Sequence, residues 1–485
     1  MSPADSDPPP SAMVRKTKIV CTIGPATGDR TMLAALIRSG MDVARLNFAH
    51  GEIPLFRTWI GAIREEAAAQ GKVVAILQDL PGPKLRTGPV KNGAVTLKDG
   101  ARFVLSTAFH EGSEQSVSIG YTKLPAEVAV GDPIFIDDGR IRLQVVRLAA
   151  TAVETEVIEG GVLRSGRGVN VPESALSVFA VTDRDLELLE FGLAHGVDWV
   201  ALSFVRSVEE IERIRAHAAA RGKRPAVMAK IERREALARL DEIVLAADGV
   251  MVARGDLGVE ISVEQVPMAQ KRIIASCNRM GKPVLTATQM LESMVDHPGP
   301  TRAEVADVAN AVLDGTDAVM LSQETSIGKY PLEATRMMDR VTRQIEDRVA
   351  MLFDVPGPPD DDDAVSDAVA RAACHVAYRI GAKTIAAVTR TGRTAQRISA
   401  RRPNLPIAAL VADDEVARRL VVHRGVIPLT IKRFEDLDRT PASVFEALCA
   451  GKLAEAGDQV VLTGGVPSGE PGATSFVRVL RIPTP

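Results

Sequence analysis

Aromatic residues are scarce in this 485-residue chain, at 4% of the sequence, which leaves little with which to stack nucleic-acid bases. An excess of one charge is missing too: a formal net charge of −3 gives no electrostatic case for a nucleic-acid or membrane partner. No apolar run reaches the roughly 18 residues that a bilayer span needs. The opening MSPADSDPPPSAM has neither the basic start nor the apolar core of a signal peptide, and reads as a disordered lead over 1–13. Cysteines are few, and Cys21, Cys277, Cys374 and Cys449 stand far apart with no CxxC pair. That spacing argues against a disulfide framework or a thiolate zinc site and fits the reducing cytoplasm.

What is present is a globular composition, 46% hydrophobic and 25% charged, in a chain too long for one ordinary core. Eight short aliphatic runs alternate with helical stretches: TKIVCTIGP, MDVARLNF, KVVAILQD, VDWVALSF, PAVMAKIE, DGVMVARGD, KPVLTATQ and DAVMLSQE. Between them, SVEE at 207–210 and TRAE at 301–304 have capping-box spacing, and Gly40, Gly196, Gly222, Gly281 and Gly315 sit where helices should stop. Apolar runs separated by helices imply parallel strands buried on both faces, and eight such units predict an α/β fold, a closed (β/α)8 TIM barrel. The third unit is interrupted: residues 88–173 carry alternating segments such as GAVTLKDGARFVLS and DPIFIDDGRIRLQVV, marked by DG turns, and predict an inserted β domain. After PGPPDDDD at 356–363, the runs KTIAAVT, PIAALV, GVIPLTI and QVVLTGG predict a small open α/β unit. The expected division is 14–87 with 174–350 for the barrel, 88–173 for the insertion and 351–485 for the C-terminal unit.

In such a barrel the C-terminal strand ends build the site. Arg45 and Asn47 close the second strand, Asp79 the third, Lys230 and Glu232 the fifth, Gly255 and Asp256 the sixth, Thr288 the seventh and Glu324 the eighth. Glu232 and Asp256 are hard oxygen ligands suited to Mg2+ or Mn2+ when a substrate phosphate completes the shell. They equally suit an ion pair of Glu232 with Lys230 or Arg233 and a helix cap at Asp256. Lys230, two residues from Glu232, shares its face of the strand and suits charge stabilisation on a phosphoryl oxygen or enolate, with a Schiff base as the competing role. In ARGDLGVE, Gly255 lets backbone approach a ligand, and a helix starting there offers free N–H groups to an anion.

The segments TKIVCTIGPAT, GMDVARLNFAHG, MAKIERRE, VMVARGDLGVEI, TATQMLESM and PTRAEVADVANAVLDGTDAVMLSQET closely resemble pyruvate kinase, in order and from about residue 16 to the end. The resemblance implies phosphoryl transfer from phosphoenolpyruvate to ADP, giving pyruvate and ATP, with a second metal arriving with the nucleotide. It implies that Lys230 neutralises the transferring group, Glu232 and Asp256 carry the divalent metal, and backbone at Ala253, Arg254, Gly255 and Asp256 with the Thr288 hydroxyl holds the substrate carboxylate. Thr288 would also serve the proton relay, and Arg45 would bind phosphate oxygens. Asn47, His50, Arg86 and Arg167 would join Arg45 around the nucleotide, the insertion would be a β-barrel lid hinged near Gly88 and Val171-Pro172, and the assembly would be a homotetramer.

The chain departs from the family where many members bind K+. Asn47 and Asp79 are kept, but the serine position is Ala49 and the threonine is Leu80, and Lys84 stands where K+-requiring members carry glutamate. A tethered ammonium supplies the charge the ion would bring, so the expectation is a divalent-metal enzyme that does not require K+. TRTGRT, residues Thr389, Arg390, Thr391, Gly392, Arg393 and Thr394, resembles the phosphate pocket for sugar-phosphate activators; a sugar phosphate or AMP is the expected effector class. Gln323 replaces a usual small residue without an evident reason. Two other readings compete: a metal-dependent lyase or aldolase of the phosphoenolpyruvate/pyruvate barrel type, and a non-catalytic phosphometabolite sensor.

Overall fold

Alternation within the eight runs decides which side chains meet helices and which fill the barrel. The structure, a computed structural model, describes residues 14–172, 177, 179–348, 364–431, 441–465 and 474–484. The expected lead at 1–13, the acidic run at 356–363 and most of the GGVPSGEPGATSF loop lie outside the described residues. The strands β1 (Lys18–Ile23), β2 (Val43–Asn47), β3 (Ala75–Asp79), β4 (Trp199–Leu202), β5 (Ala226–Ile231), β6 (Gly249–Ala253), β7 (Val284–Ala287) and β8 (Ala318–Leu321) pair in parallel. They follow one another around a closed barrel in which β8 returns to β1.

Residues of one parity, such as Ile19, Cys21, Ala44, Val227 and Ile231, join the core beneath the surrounding helices. Those of the other parity, including Val20, Val43, Leu77, Met228 and Met251, fill the interior. The same parity sends Arg45, Asp79 and Lys230 into the upper layer of the barrel mouth, because they continue the inward rows at the C-terminal ends of their strands. Helix boundaries fall where the sequence sets them. Glu304 accepts hydrogen bonds from Thr301 while Thr301 caps the Glu304 N–H, Glu210 accepts from the Ser207 N–H at 3.1 Å, and the five helix-stopping glycines all have positive φ.

The insertion forms a six-stranded sheet, in the order Val169–Asn170, Pro133–Ile136, Ile141–Ala149, Ala152–Glu159, Arg102–Ser106 and Ser116–Ser118. A two-stranded sheet of Ala94–Leu97 and Gly161–Arg164 accompanies it. Residues 86–87 bridge the two edges of the six-stranded sheet, Arg86 pairing with Gly168 beside Val169–Asn170 and Thr87 with Ile119 beside Ser116–Ser118, which joins the edges as the expected β-barrel requires. Both sheets close over one core that includes Phe103, Leu143 and Leu163. Two segments connect the insertion to the barrel and pair with each other: Thr87 N–H donates to Arg167 O and Val169 N–H to Leu85 O, each at 2.9 Å. Gly88, expected near a hinge, is fixed against Ser118, to whose carbonyl it donates at 2.7 Å.

The C-terminal unit has the four expected parallel strands and a fifth, antiparallel edge strand, Phe476–Arg481, that the sequence reading did not anticipate. It docks on the N-terminal end of the barrel. Val421 and Val422 plug the interior core, Lys18 Nζ donates to Val426 O at 2.7 Å, and Arg402 pairs with Asp317 at 2.9 Å. No helix among the described residues is long and apolar enough to cross a membrane.

Candidate active site

Five strands bring their polar ends together at the barrel mouth. Arg45 donates from Nε to Asp79 Oδ2 at 2.8 Å and from Nη1 to Thr22 Oγ1 at 3.0 Å. Across the mouth, Lys230 Nζ lies 3.3 Å from Asp79 Oδ1, 2.8 Å from Glu232 Oε1 and 2.8 Å from Ser203 Oγ. Burial works against the Lys230 ammonium, but Asp79 and Glu232 outweigh it and raise its pKa. Lys230 is therefore a fixed cation rather than an amine ready for Schiff-base chemistry.

Glu232 is fully buried. Its Oε2 accepts from the Phe204 N–H at 2.7 Å, a contact made possible by the left-handed backbone of Phe204 at φ 57°. Its Oε1 faces Lys230 but has no hydrogen bond of good geometry among the described residues. Burial and the nearby Asp256 raise the Glu232 pKa against the pull of Lys230. A buried carboxylate oxygen with spare lone pairs beside a second carboxylate fits a divalent cation, so the donor set suits the metal that the sequence implies. Of the ion pairs considered from sequence, Glu232 makes the one with Lys230, whereas Arg233 pairs with Glu260 at 2.7 Å.

After β6 the chain turns directly into the helix Arg254–Glu260, placing Gly255 and Asp256 in its first turn rather than on the strand. Gly255 packs against Thr288: a Cβ there would lie 3.1 Å from the threonine methyl, and the Gly255 N–H reaches Thr288 Oγ1 at 3.4 Å. Thr288 has φ 74° and Gln289 φ 55°, and for a β-branched residue that conformation is strained. Arg254 holds it there. Its guanidinium donates to Thr288 O at 2.6 Å and to Ala287 O at 3.3 Å, anchored by Asp307 at 2.7 Å. The Arg254 side chain thus points away from the mouth and positions Thr288, leaving only its backbone for the expected contact with substrate.

Lys84 departs from expectation. Its ion partners are Asp256, at 3.4 Å, and Asp138 of the insertion, at 3.5 Å, rather than Asp79 and Asn47. The rigid Pro81-Gly82-Pro83 turn launches it toward the insertion, and Gly168 leaves it room, since a Cβ there would meet Lys84 Cε at 2.6 Å. The oxygens at the position where many family members bind K+ each have a partner within the protein. Asp79 is held by Arg45 and Lys230, Leu80 O accepts from Ser203 Oγ at 2.7 Å, and Asn47 Oδ1 accepts from the Ala49 N–H at 3.1 Å.

Partial burial and the positive charges of Arg86, Lys84 and Arg45 lower the pKa of His50, which places these cations around one rim. Arg86 donates to Gly166 O at 3.1 Å. Arg167 pairs with Asp137 at 3.2 Å, and its Nε is buried without a hydrogen-bond partner among the described residues. Glu324 does not reach the mouth: it is fully buried and accepts from the N–H groups of Leu291 and Ser322. Gln323 is exposed, and nothing in the structure explains it. In the C-terminal unit, Thr389 Oγ1 accepts from the Gly392 N–H at 3.0 Å, and Thr394 is buried against Thr474 at 2.8 Å. Arg393 opens the helix Arg393–Ala400 after Gly392 at φ 90°, while Thr391 and Arg390 lie on the exposed turn before it.

Sequence reasoning missed Ser203, Phe204 and Asp138. The signal for the first two was available, since VDWVALSF ends a barrel strand in the same way as the strands that carry Arg45, Asp79 and Lys230. Asp138 had none, because its role depends on how the insertion folds back.

The family profile described as pyruvate kinase, barrel domain, matches residues 14–335, and that described as pyruvate kinase, alpha/beta domain, matches 367–480. A pyruvate kinase of Geobacillus stearothermophilus is 42% identical over 475 residues, covering 96% of this chain and 80% of that one. One from Thermotoga maritima is 42% identical over 470 residues, covering 97% and 100%. A crystal structure of a pyruvate kinase from Cryptosporidium parvum superposes with a TM-score of 0.91 at 35% identity, over 97% of this chain and 96% of that one. Two profiles spanning the barrel and the C-terminal unit, with relatives matched along nearly the whole chain, place this protein in the pyruvate kinase family.

Proposed function

We propose that the barrel mouth transfers the phosphoryl group of phosphoenolpyruvate to ADP, giving pyruvate and ATP, with Mg2+ or Mn2+ at Glu232 and Asp256. The observation that carries this reading is the buried Lys230 cation between Asp79 and the under-coordinated Glu232. The metal, when bound, supplies positive charge to the phosphoryl oxygens. Lys230 stabilises charge on the transferring group and on the enolate, where a preorganised cation acts without reorganisation cost. Arg45 gathers phosphate oxygens, and the backbone from Ala253 to Asp256 with the Thr288 hydroxyl seats the substrate carboxylate. The same hydroxyl, kept in place by Arg254, stands in the path by which the enol carbon is protonated. Asn47, His50, Arg86 and Arg167 form the cationic and polar rim for the nucleotide, and the insertion acts as a lid that excludes water.

K+ is not required in this reading. Its ligands already bind neighbouring side chains or backbone N–H groups, and Lys84 adds a permanent positive charge beside Asp256. The Thr389–Thr394 turn is the candidate seat of a phosphorylated effector, sugar phosphate or AMP. The division of the chain at 88, 173 and 351, a homotetramer and a cytoplasmic location complete the proposal.

One assay tests it: the full chain with phosphoenolpyruvate, ADP and Mg2+ in buffer free of Na+ and K+. The expected result is ATP formed in step with pyruvate, at a rate that added K+ changes by less than about twofold. Pyruvate released without ADP would point to the lyase reading, and no turnover to the sensor. A large K+ activation of the wild type would defeat the Lys84 assignment, whereas Lys84→Glu is expected to create that dependence.

A further inference from the structure

Asn170 belongs to two bodies at once. Its backbone lies in the sheet of the insertion, where Val169–Asn170 pairs antiparallel with Ile136 and Phe135, yet its side chain reaches into the barrel. There Asn170 Nδ2 donates to Glu260 Oε1 at 3.3 Å, and Arg233 Nη1 donates to the same oxygen at 2.7 Å. Arg234 adds a hydrogen bond to the Glu260 carbonyl at 3.1 Å. Asn170 and Glu260 are both buried, and an enclosed polar pair keeps its place because separating it leaves each group unsatisfied. The chemistry proposed for the barrel mouth uses none of these side chains.

The neighbours of this cluster in the chain give it a use. Glu260 ends the helix that begins with Arg254, Gly255 and Asp256, and Arg233 directly follows Glu232. On the other side, Arg167 stands three residues before Asn170. The strand opposite Asn170 runs on into Asp137, whose N–H donates to Gly168 O at 3.0 Å and whose carboxylate pairs with Arg167. Beside the cluster lies a cavity of about 30 Å3, lined by Leu85 and Val171 from the crossing segments and by Phe204 and Arg233 from the barrel. Close-packed elements resist displacement, so movement at this junction is easiest beside the cavity, with the hydrogen-bonded cluster as its fixed side. We propose that Asn170, tied through Glu260 to Arg233, is a positioning residue that sets where Arg167 stands over the barrel mouth and thereby the affinity for ADP. This rests on the reading of the insertion as a nucleotide lid and goes beyond it by assigning the anchor. Phosphoenolpyruvate, seated by the barrel itself, should feel the anchor far less.

The test is a charge swap in the full chain. Asn170→Asp is nearly isosteric, removes the donor and sets a carboxylate against Glu260. Asn170→Asp/Glu260→Gln restores one donor, one acceptor and a single negative charge for Arg233. Calorimetric titration with Mg–ADP and steady-state kinetics are run on wild type and both variants. Asn170→Asp is expected to weaken Mg–ADP binding and raise KM for ADP by about tenfold or more, while KM for phosphoenolpyruvate changes by less than about threefold. The double variant should return ADP binding to within about threefold of wild type. Asn170→Ala, which only deletes the donor, should show the same split at smaller size, and it carries the test if the charge variant does not fold. A merely structural loss would neither separate the two substrates nor reverse on a second substitution. Unchanged ADP binding, an equal shift in both KM values, or no recovery in a double variant with wild-type circular dichroism would each overturn the assignment. Binding is measured without turnover, so a failure of the phosphoryl-transfer reading is distinguished from a failure of this one.

Discussion

The two ends of this barrel use carboxylates in opposite ways. At the N-terminal end, Asp42, Asp198, Asp248 and Asp317 each precede an even-numbered strand and accept a backbone N–H from the preceding strand: Ile19, Ile76, Val227 and Val284 respectively, at 2.7 to 2.9 Å. Each also meets arginine: Arg15 for Asp42, Arg64 and Arg418 for Asp198, Arg215 for Asp248 and Arg402 for Asp317. These oxygens are satisfied by groups that cannot leave. At the C-terminal end, Glu232 and Asp256 face a lysine each, and Glu232 Oε1 keeps coordination unused. The chemical group is the same, and its completeness separates a joint from a reaction centre.

The comparison predicts that changes at the upper end alter rate, whereas changes at the lower end alter stability. Lys230→Met should lower kcat roughly 1,000-fold or more while the protein still folds, as read by the coupled assay beside circular dichroism; near-normal turnover would remove Lys230 from the chemistry. Next in size, Asp317→Ala should cost about 3–5 kcal/mol, the range for breaking a buried ion pair and leaving Arg402 uncompensated. Denaturant unfolding measures it, and the rate per folded molecule should stay within about twofold. Glu232→Gln should weaken Mn2+ binding at least tenfold, measured without substrate by electron paramagnetic resonance; unchanged binding would place the metal elsewhere.

A further effect concerns pH at the lower end. His423 is buried facing Gln396, Asp317, Arg402 and Lys18, and its pKa falls from 6.5 to about 4 on folding. The unfolded chain therefore takes up this proton first. Stability should be insensitive to His423 above about pH 6.5 and decline as pH drops toward 4, by on the order of 3 kcal/mol at most. His423→Gln should flatten that part of the profile, and an unaltered slope would assign the acid sensitivity to other groups.

Much of the upper end was legible in sequence because period-two alternation is local: once MAKIE was read as a strand, Lys230 and Glu232 had to share a face. The order of the eight strands followed from the same logic. Contacts that depend on distant segments were not legible. Lys84 could be read as a cation on a stiff turn, but its aim depends on Gly168 and Asp138, which lie more than fifty residues away in the insertion. The lower-end aspartates were visible as GMD, GVD, AAD and GTD, yet their purpose emerges only when parallel pairing brings each beside a neighbour's N–H. That residues 86–87 join the two edges of the insertion's sheet was not legible, because alternation predicts strands without stating which edges meet.

The paired crossing segments at 85–87 and 167–169 set a mechanical limit on the insertion. A single flexible tether would let an appended body tumble, with many orientations to search before each turnover. A two-stranded antiparallel ribbon resists shear in its own plane and yields mainly to bending across it. Under the proposed lid motion, the paired segments favour bending across the ribbon, and that bending would change the Lys84–Asp138 separation of 3.5 Å.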